Sequence, residues 1–171
     1  LTLNNYLGIF TDSNYVPNSQ ICLRDFQQRI KNDVDKIHSN NRRFAGVIVP
    51  TGGGKSFIAM AEMMDRQDSK ILYVAPRINI LRNFKKNIVK YVADLDPEGL
   101  ADDELDIIVK SCFPYLELIC YQSLNPKDEE KLASYKADYI ILDEIHHIGG
   151  ASWNRVVKKL VDNNPTSQVL G

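Results

Sequence analysis

The sequence predicts an α/β fold in which helices cover both faces of a parallel sheet, and three observations carry that expectation. Short runs that are apolar almost throughout, residues 70–75 (KILYVA), 116–120 (LELIC) and 138–142 (DYIIL), have the length and composition of strands buried on both faces. Between them, apolar residues recur at three- and four-residue spacing, as on amphipathic helices. Alternation of the two patterns belongs to a chain that crosses repeatedly over one parallel sheet. At 171 residues the chain suffices for one such domain, with a core that needs neither disulfides nor metal.

Taken in order, residues 1–20 are polar, contain Asn and Pro and lack sustained periodicity, so they are expected to be an irregular lead-in to a domain over residues 21–171. Leu23, Phe26, Ile30, Val34 and Ile37 then mark an amphipathic helix that stops at Ser39-Asn40-Asn41. Residues 44–56 (FAGVIVPTGGGKS) read as a buried strand that breaks into three glycines and opens a helix. Phe57, Met60, Ala61 and Met64 lie along one stripe of that helix. The strand at 70–75 is closed by Pro76, and residues 77–92 are helical, with Leu81, Phe84 and Ile88 inward and Lys85, Lys86 and Lys90 outward.

Residues 93–106 hold seven acids and no Lys or Arg, and turn helical from Asp102 into Val109. They read as a solvated surface insertion, with a partner-binding element as the alternative. The strand at 116–120 leads into Tyr121-Gln122-Ser123, a short helix occupies 128–135, and the strand at 138–142 ends in Asp143-Glu144-Ile145-His146-His147. After Gly149-Gly150, Trp153, Val156, Val157, Leu160 and Val161 share a helical face, and Gln168-Val169-Leu170 begins a further strand.

Composition bounds the class. A hydrophobic fraction of 44% with 25% charged residues is ordinary for a globular protein. The apolar stretches are far too short to cross a bilayer, no signal peptide opens the chain, and no membrane partner is expected. Cys22, Cys112 and Cys120 form neither a paired framework nor a metal-ligand spacing, which favours buried thiols in a reducing compartment and a cytoplasmic location. The chain begins with Leu1, so a longer parent protein is expected. The net charge of −1 conceals an uneven distribution. With the acidic stretch set aside, 21 basic residues face 15 acidic ones, which leaves room for a polyanionic partner.

Chemistry concentrates at two strand ends. Glycine admits positive φ and close backbone approach, and a helix N-terminus adds unpaired N–H groups and a positive dipole end. Thr51, Gly52, Gly53 and Gly54 therefore form a cradle for phosphates, in which the Lys55 ammonium reaches the β and γ oxygens and the Ser56 hydroxyl ligates Mg²⁺. Val49 stands where the strict loop pattern has its first glycine. Asp143 suits a Mg²⁺ held through water, and Glu144 suits the base that deprotonates a water attacking the γ-phosphorus. Ligands of a parallel sheet sit where its strands end, so the loop and the acidic pair are expected to meet in one crevice. His146 and His147, adjacent and without a third ligand at usable spacing, make poor zinc ligands.

These motifs, Pro50-Thr51-Gly52-Gly53-Gly54-Lys55-Ser56 and Asp143-Glu144-Ile145-His146-His147, resemble those of the first RecA-like domain of superfamily 2 helicases and translocases, in particular the DExH branch that includes the ATPase subunits of restriction enzymes. The resemblance spans residues 21–171 and implies a P-loop NTPase fold that uses ATP and Mg²⁺ on nucleic acid, with DNA preferred over RNA. Leu23-Arg24-Asp25-Phe26-Gln27 resembles the family's Leu-Arg-x-Tyr-Gln, which implies that Gln27 reads the adenine edge. Ala75-Pro76-Arg77 looks like motif Ia and Tyr121-Gln122-Ser123 like motif Ib, which places Pro76, Arg77, Gln122 and Ser123 along the nucleic-acid backbone. His147 matches the residue that links ATP state to the nucleic-acid site.

The family's motif III follows a strand that ends like Val169-Leu170-Gly171, so motif III and a second RecA-like domain with arginine fingers are expected beyond this sequence. An arginine finger contributes about 10³–10⁵ in turnover, so these residues alone are expected to bind ATP and hydrolyse it poorly. Two other classes compete. A phosphate-loop kinase or GTPase needs a substrate lid or an Asn-Lys-x-Asp segment, and the sequence has neither. A nucleotide-dependent binding module without motor activity is disfavoured by the intact Lys55, Asp143 and Glu144.

Overall fold

The computed structural model describes residues 21–50, 52–145 and 151–171, with side chains in the last segment from Asn154 onward. The expected lead-in over residues 1–20, Thr51, and residues 146–150 with both His146 and His147 lie outside the described residues, as does the Trp153 side chain. The elements run α1 (Asp25–Ser39), β1 (Phe44–Ala45), α2 (Lys55–Met64), β2 (Ile71–Ala75), α3 (Ile78–Tyr91), α4 (Asp102–Cys112), β3 (Leu116–Cys120), a 3₁₀ turn (Tyr121–Ser123), α5 (Glu129–Ser134), β4 (Tyr139–Leu142), α6 (Ala151–Asp162) and β5 (Gln168–Leu170). All strand pairings are parallel, in the order β1-β5-β4-β2-β3.

Strand periodicity divides the core in two. Ile71, Tyr73 and Ala75 of β2, with Tyr139 and Ile141 of β4, pack beneath α1 to α4. Leu72 and Val74, with Ile140 and Leu142, pack beneath α5 and α6. Both sheet faces are thus covered, as the uninterrupted apolar strands require.

β1 departs from the expected buried strand. Among the described residues it lies at the sheet edge, paired with β5, and its ladder runs from Arg43 to Val47, where Val169 N–H donates to Arg43 O, Gly171 N–H to Ala45 O and Val47 N–H to Gly171 O. Ala45 and Val49 are buried, whereas Phe44 is 59% and Ile48 99% exposed. A continuous apolar run therefore conceals an alternation of buried and exposed residues. Arg43 fixes β1 beside β5 by donating to Ser167 O (2.9 Å), Val161 O (2.6 Å) and Asn164 O (2.5 Å) around the α6–β5 turn. The opposite edge, β3, is closed by the chain itself: Lys110 Nζ donates to Leu116 O (2.6 Å) and the Ser123 hydroxyl to Cys120 O (2.7 Å). Such caps discourage edge pairing.

The acidic stretch folds back on α3. Asp102 pairs with Arg82 (2.6 Å), Asp106 with Lys85 (2.5 Å) and Glu98 with Lys86 (3.4 Å). Exposed pairs of this kind stabilise weakly. Their consequence is electrostatic: Lys85 and Lys86, two of the basic residues counted toward a polyanionic partner, are neutralised within the chain. The cysteines also differ from expectation, since Cys112 and Cys120 are buried but Cys22 is exposed.

The largest surprise is polar. The buried stripe of α1 is Gln27, Lys31, Val34 and His38, while Ile30 and Ile37 are only partly buried. Lys31 contacts Asp35 (2.7 Å), Asp65 (2.5 Å) and Glu62 (3.6 Å), and so ties α1 to α2. Glu62 is fully buried and accepts from the Tyr139 hydroxyl (2.7 Å) and Arg66 Nη1 (2.9 Å), while the Arg66 guanidinium lies over the Tyr139 ring. Burial pushes the Glu62 carboxyl above its ordinary 4.5, against the opposing pull of Arg66 and the Tyr139 hydrogen bond. The native state then binds this proton more tightly than the unfolded chain, so stability contributed by Glu62 is greatest below pH 4.5 and falls as pH rises through the raised value. A tenfold gain in proton affinity corresponds to about 1.4 kcal/mol. Urea unfolding across pH 4 to 7 is therefore expected to give a flatter stability curve for Glu62→Gln than for the wild type, and identical slopes would refute this account.

Candidate functional site

The glycine-rich segment leaves β1, turns sharply and feeds α2. Gly53 N–H donates to Pro50 O (2.9 Å), and Gly52 and Gly54 take φ of +79° and +78°, which residues with a Cβ rarely adopt. Val49 packs directly beneath Gly53, where an added Cβ would collide with it. The residue that departs from the strict pattern thus supports the loop from below. Gly54 caps α2, so Lys55 and Ser56 occupy its first turn.

The acidic pair is set by β4, two strands from β1. Asp143 N–H continues the ladder to Val74 O (2.8 Å), and Glu144 takes φ of +51°, its N–H donating to Asp143 Oδ1 (2.9 Å). A non-glycine residue in this region stores about 1 kcal/mol or more, a cost that persists where surrounding structure imposes it. The strained turn aims Glu144 at the loop: its Oε1 lies 3.2 Å from Lys55 Nζ. Lys55, Ser56, Asp143 and Glu144 line one cleft of about 340 Å³ with Pro50, Gly52, Gly54 and the α3 face carrying Asn83 and Asn87. The crevice expected from the two strand ends is formed.

Asp143 is held at both oxygens. Oδ2 accepts from the Tyr73 hydroxyl (2.7 Å), and Tyr73, buried in β2, stacks on Phe84 at 3.9 Å between ring centroids. Burial raises the Asp143 carboxyl above its ordinary range, the Tyr73 hydrogen bond draws it back, and the neighbouring Glu144 charge raises it. A half-hidden carboxylate facing a cleft is a group that a cation would stabilise. The donor set fits Mg²⁺ bound to a triphosphate: hard oxygens from Ser56 and Asp143, a lysine for phosphate oxygens, and a loop whose glycines leave room for close approach.

Gln27, expected at the adenine edge, packs beside the phosphate loop. It is 3% exposed, its Oε1 accepts from Arg24 N–H (2.9 Å), and its Nε2 donates to Gly53 O (3.0 Å) and Gly54 O (3.4 Å). Pro76 is buried and Arg77 exposed at the end of β2, while Gln122 and Ser123 are exposed at the end of the adjacent β3, where Ala75 pairs with Cys120. The four residues expected along a nucleic acid therefore share one rim of the sheet, on the edge away from the loop. Thr51 and His147 lie outside the described residues. Tyr73 escaped the sequence reading because one aromatic inside KILYVA is indistinguishable from core.

Among the described residues no helix is long and apolar enough to cross a membrane. Compared with known families, residues 20–171 match the model described as "Type III restriction enzyme, res subunit". No curated protein matches the chain.

Proposed function

We propose, from the premise that the chain belongs to the type III restriction enzyme res-subunit family and is an ATP-dependent, helicase-like domain of it, that it is the ATP-binding half of a nucleic-acid translocase or helicase acting on DNA. The observation that carries this reading is the 3.2 Å contact between Lys55 and Glu144, which joins the loop and the acidic pair across one cleft. Lys55 and the loop formed by Thr51, Gly52, Gly53 and Gly54 hold the triphosphate. Ser56 and Asp143 would hold Mg²⁺, which would supply positive charge to offset that of the phosphates. Glu144 orients and deprotonates the attacking water. His147 passes nucleotide state to the rim, where Pro76, Arg77, Gln122 and Ser123 follow the phosphate backbone. A cytoplasmic location goes with the two buried free thiols and with a nucleic-acid partner.

Turnover needs a second wall. Among the described residues Lys55 is the single cation lining the cleft, and it is engaged by Glu144. Transition-state charge on the γ-phosphoryl calls for more, typically an arginine from a closing domain, worth about 10³–10⁵ in rate. These 171 residues on their own thus bind ATP and hydrolyse it slowly. ATPase assays on the full-length protein decide the reading: turnover stimulated by duplex DNA supports it. Tight ATP binding with no turnover under any nucleic acid makes the chain a nucleotide-dependent binding module instead, and stimulation by RNA alone overturns the DNA assignment.

A further inference from the structure

We propose that Tyr73 is a positioning residue for the nucleotide reaction: its hydroxyl holds Asp143 in the orientation that metal binding needs and keeps that carboxylate from the Lys55 ammonium, an inference that rests on the nucleotide reading above. The hydroxyl donates to Asp143 Oδ2 (2.7 Å), and the residue lines the cleft beside Lys55, Ser56, Asp143 and Glu144. A second hydrogen bond to this carboxylate, from Glu144 N–H (2.9 Å), comes from within its own turn. Tyr73 ties it to another strand.

The sheet explains how a side chain in a buried strand reaches the site. Alternation along β2 puts Tyr73 on the face that α1 to α4 cover, and its register partner on β4 is Ile141. Asp143 stands two residues beyond Ile141, about 6.6 Å further along the strand, a gap that the long, rigid phenol crosses. Tyr73 is 1% exposed, lies between β3 and β4, and stacks on Phe84 of α3 with 10° between the ring planes. Packed in this way, the ring presents its hydroxyl at a fixed point. A phenol keeps its proton at neutral pH, so the hydroxyl donates.

Two demands meet at Asp143. Lys55 faces the same cleft and is paired with Glu144, the next residue along (3.2 Å). A carboxylate free to rotate at Asp143 would compete for that ammonium, and would withdraw both the cation that phosphates require and the oxygens that a metal requires. Tyr73 separates the two roles. Hydrogen-bonding partners of metal-ligating side chains typically contribute about 10–100-fold in metal affinity or activity. Core packing needs only the ring, which phenylalanine would supply equally well; the oxygen serves Asp143.

Tyr73→Phe tests this in the full-length protein, because it keeps the ring and its stack and removes one oxygen. ATP affinity is measured by calorimetry in Mg²⁺ and again in EDTA; the gain that Mg²⁺ brings is expected to fall about 10-fold in the variant, while affinity in EDTA stays within about threefold of wild type. The Mg²⁺ concentration that half-saturates turnover rises by a similar factor. In an Asp143→Ala background the same change is expected to leave ATP affinity in Mg²⁺ unaltered, since the group through which the hydroxyl acts is gone. Phe84→Leu, which loosens the ring and leaves the hydroxyl, gives a smaller loss of the same Mg²⁺-specific kind and stands in if Tyr73→Phe fails to fold. Equal losses in Mg²⁺ and in EDTA, or an undiminished loss in the Asp143→Ala background, would make Tyr73 a packing residue and overturn the inference. An unchanged gain from Mg²⁺ would overturn it too. A wild-type protein that binds no ATP, or binds it equally in Mg²⁺ and EDTA, would instead refute the nucleotide reading itself, and the inference with it.

Discussion

Glu144→Gln in the full-length protein is expected to reduce stimulated ATP turnover by about 10²–10⁴, the contribution of a positioned general base, while ATP binding survives and tightens slightly. The geometry supplies both halves. Glu144 reaches over the cleft from a strained turn, and its present partner is Lys55 at 3.2 Å, both side chains being about one-third exposed or less. Lys55 must leave that carboxylate to reach a phosphate. A partly exposed ion pair holds about 0–1 kcal/mol, so removing the charge releases Lys55 and raises affinity by up to about fivefold. Glutamine has the same length and the same tolerance of the turn, so the variant folds as the wild type does. Steady-state ATPase and equilibrium binding measured on one preparation separate the two effects. Turnover within threefold of wild type would remove Glu144 from the role of base.

The sheet was legible because its strands are short and apolar, with β2 bounded by Lys70 and Pro76 and β4 by Asp138 and Asp143; β2, β3, β4 and β5 fall within a residue of their expected limits. The loop and the acidic pair were legible because glycine spacing and paired carboxylates have few other uses. What stayed hidden was polar chemistry inside apolar patterns. Glu62 sits in KSFIAMAEMM, where periodicity selects Phe57, Met60, Ala61 and Met64; Arg66 stands one turn on, but nothing local reveals that Tyr139 arrives from β4 to satisfy a buried carboxylate. Lys31, His38 and Tyr73 are hidden for the same reason: Glu62, Tyr139 and Asp143, which they meet in the fold, are distant in sequence. The exposure of Phe44 and Ile48 was equally invisible, since strand order is a global property and an apolar run reads alike in the centre and at the edge.

Lys55→Met is expected to weaken ATP binding by about 10²–10³ and to leave the unfolding free energy within about 1 kcal/mol of wild type. Methionine keeps an apolar stem of similar length and removes only the ammonium, so folding loses one part-exposed ion pair. The ligand loses far more. Charge-assisted hydrogen bonds to phosphate contribute about 1.5–3 kcal/mol each, and Lys55 is the single cation lining the cleft among the described residues. Without it, the Asp143 and Glu144 carboxylates face the triphosphate unbalanced, and repulsion adds to the lost attraction. The double variant Lys55→Met with Glu144→Gln sharpens the test. If the two side chains restrain each other in the free protein, the gain that Glu144→Gln brings by releasing Lys55 disappears in the Lys55→Met background, and the two changes are not additive. Additive effects would mean that Glu144 does not restrain Lys55, and an affinity for Lys55→Met within threefold of wild type would mean that the loop binds phosphates through its backbone alone.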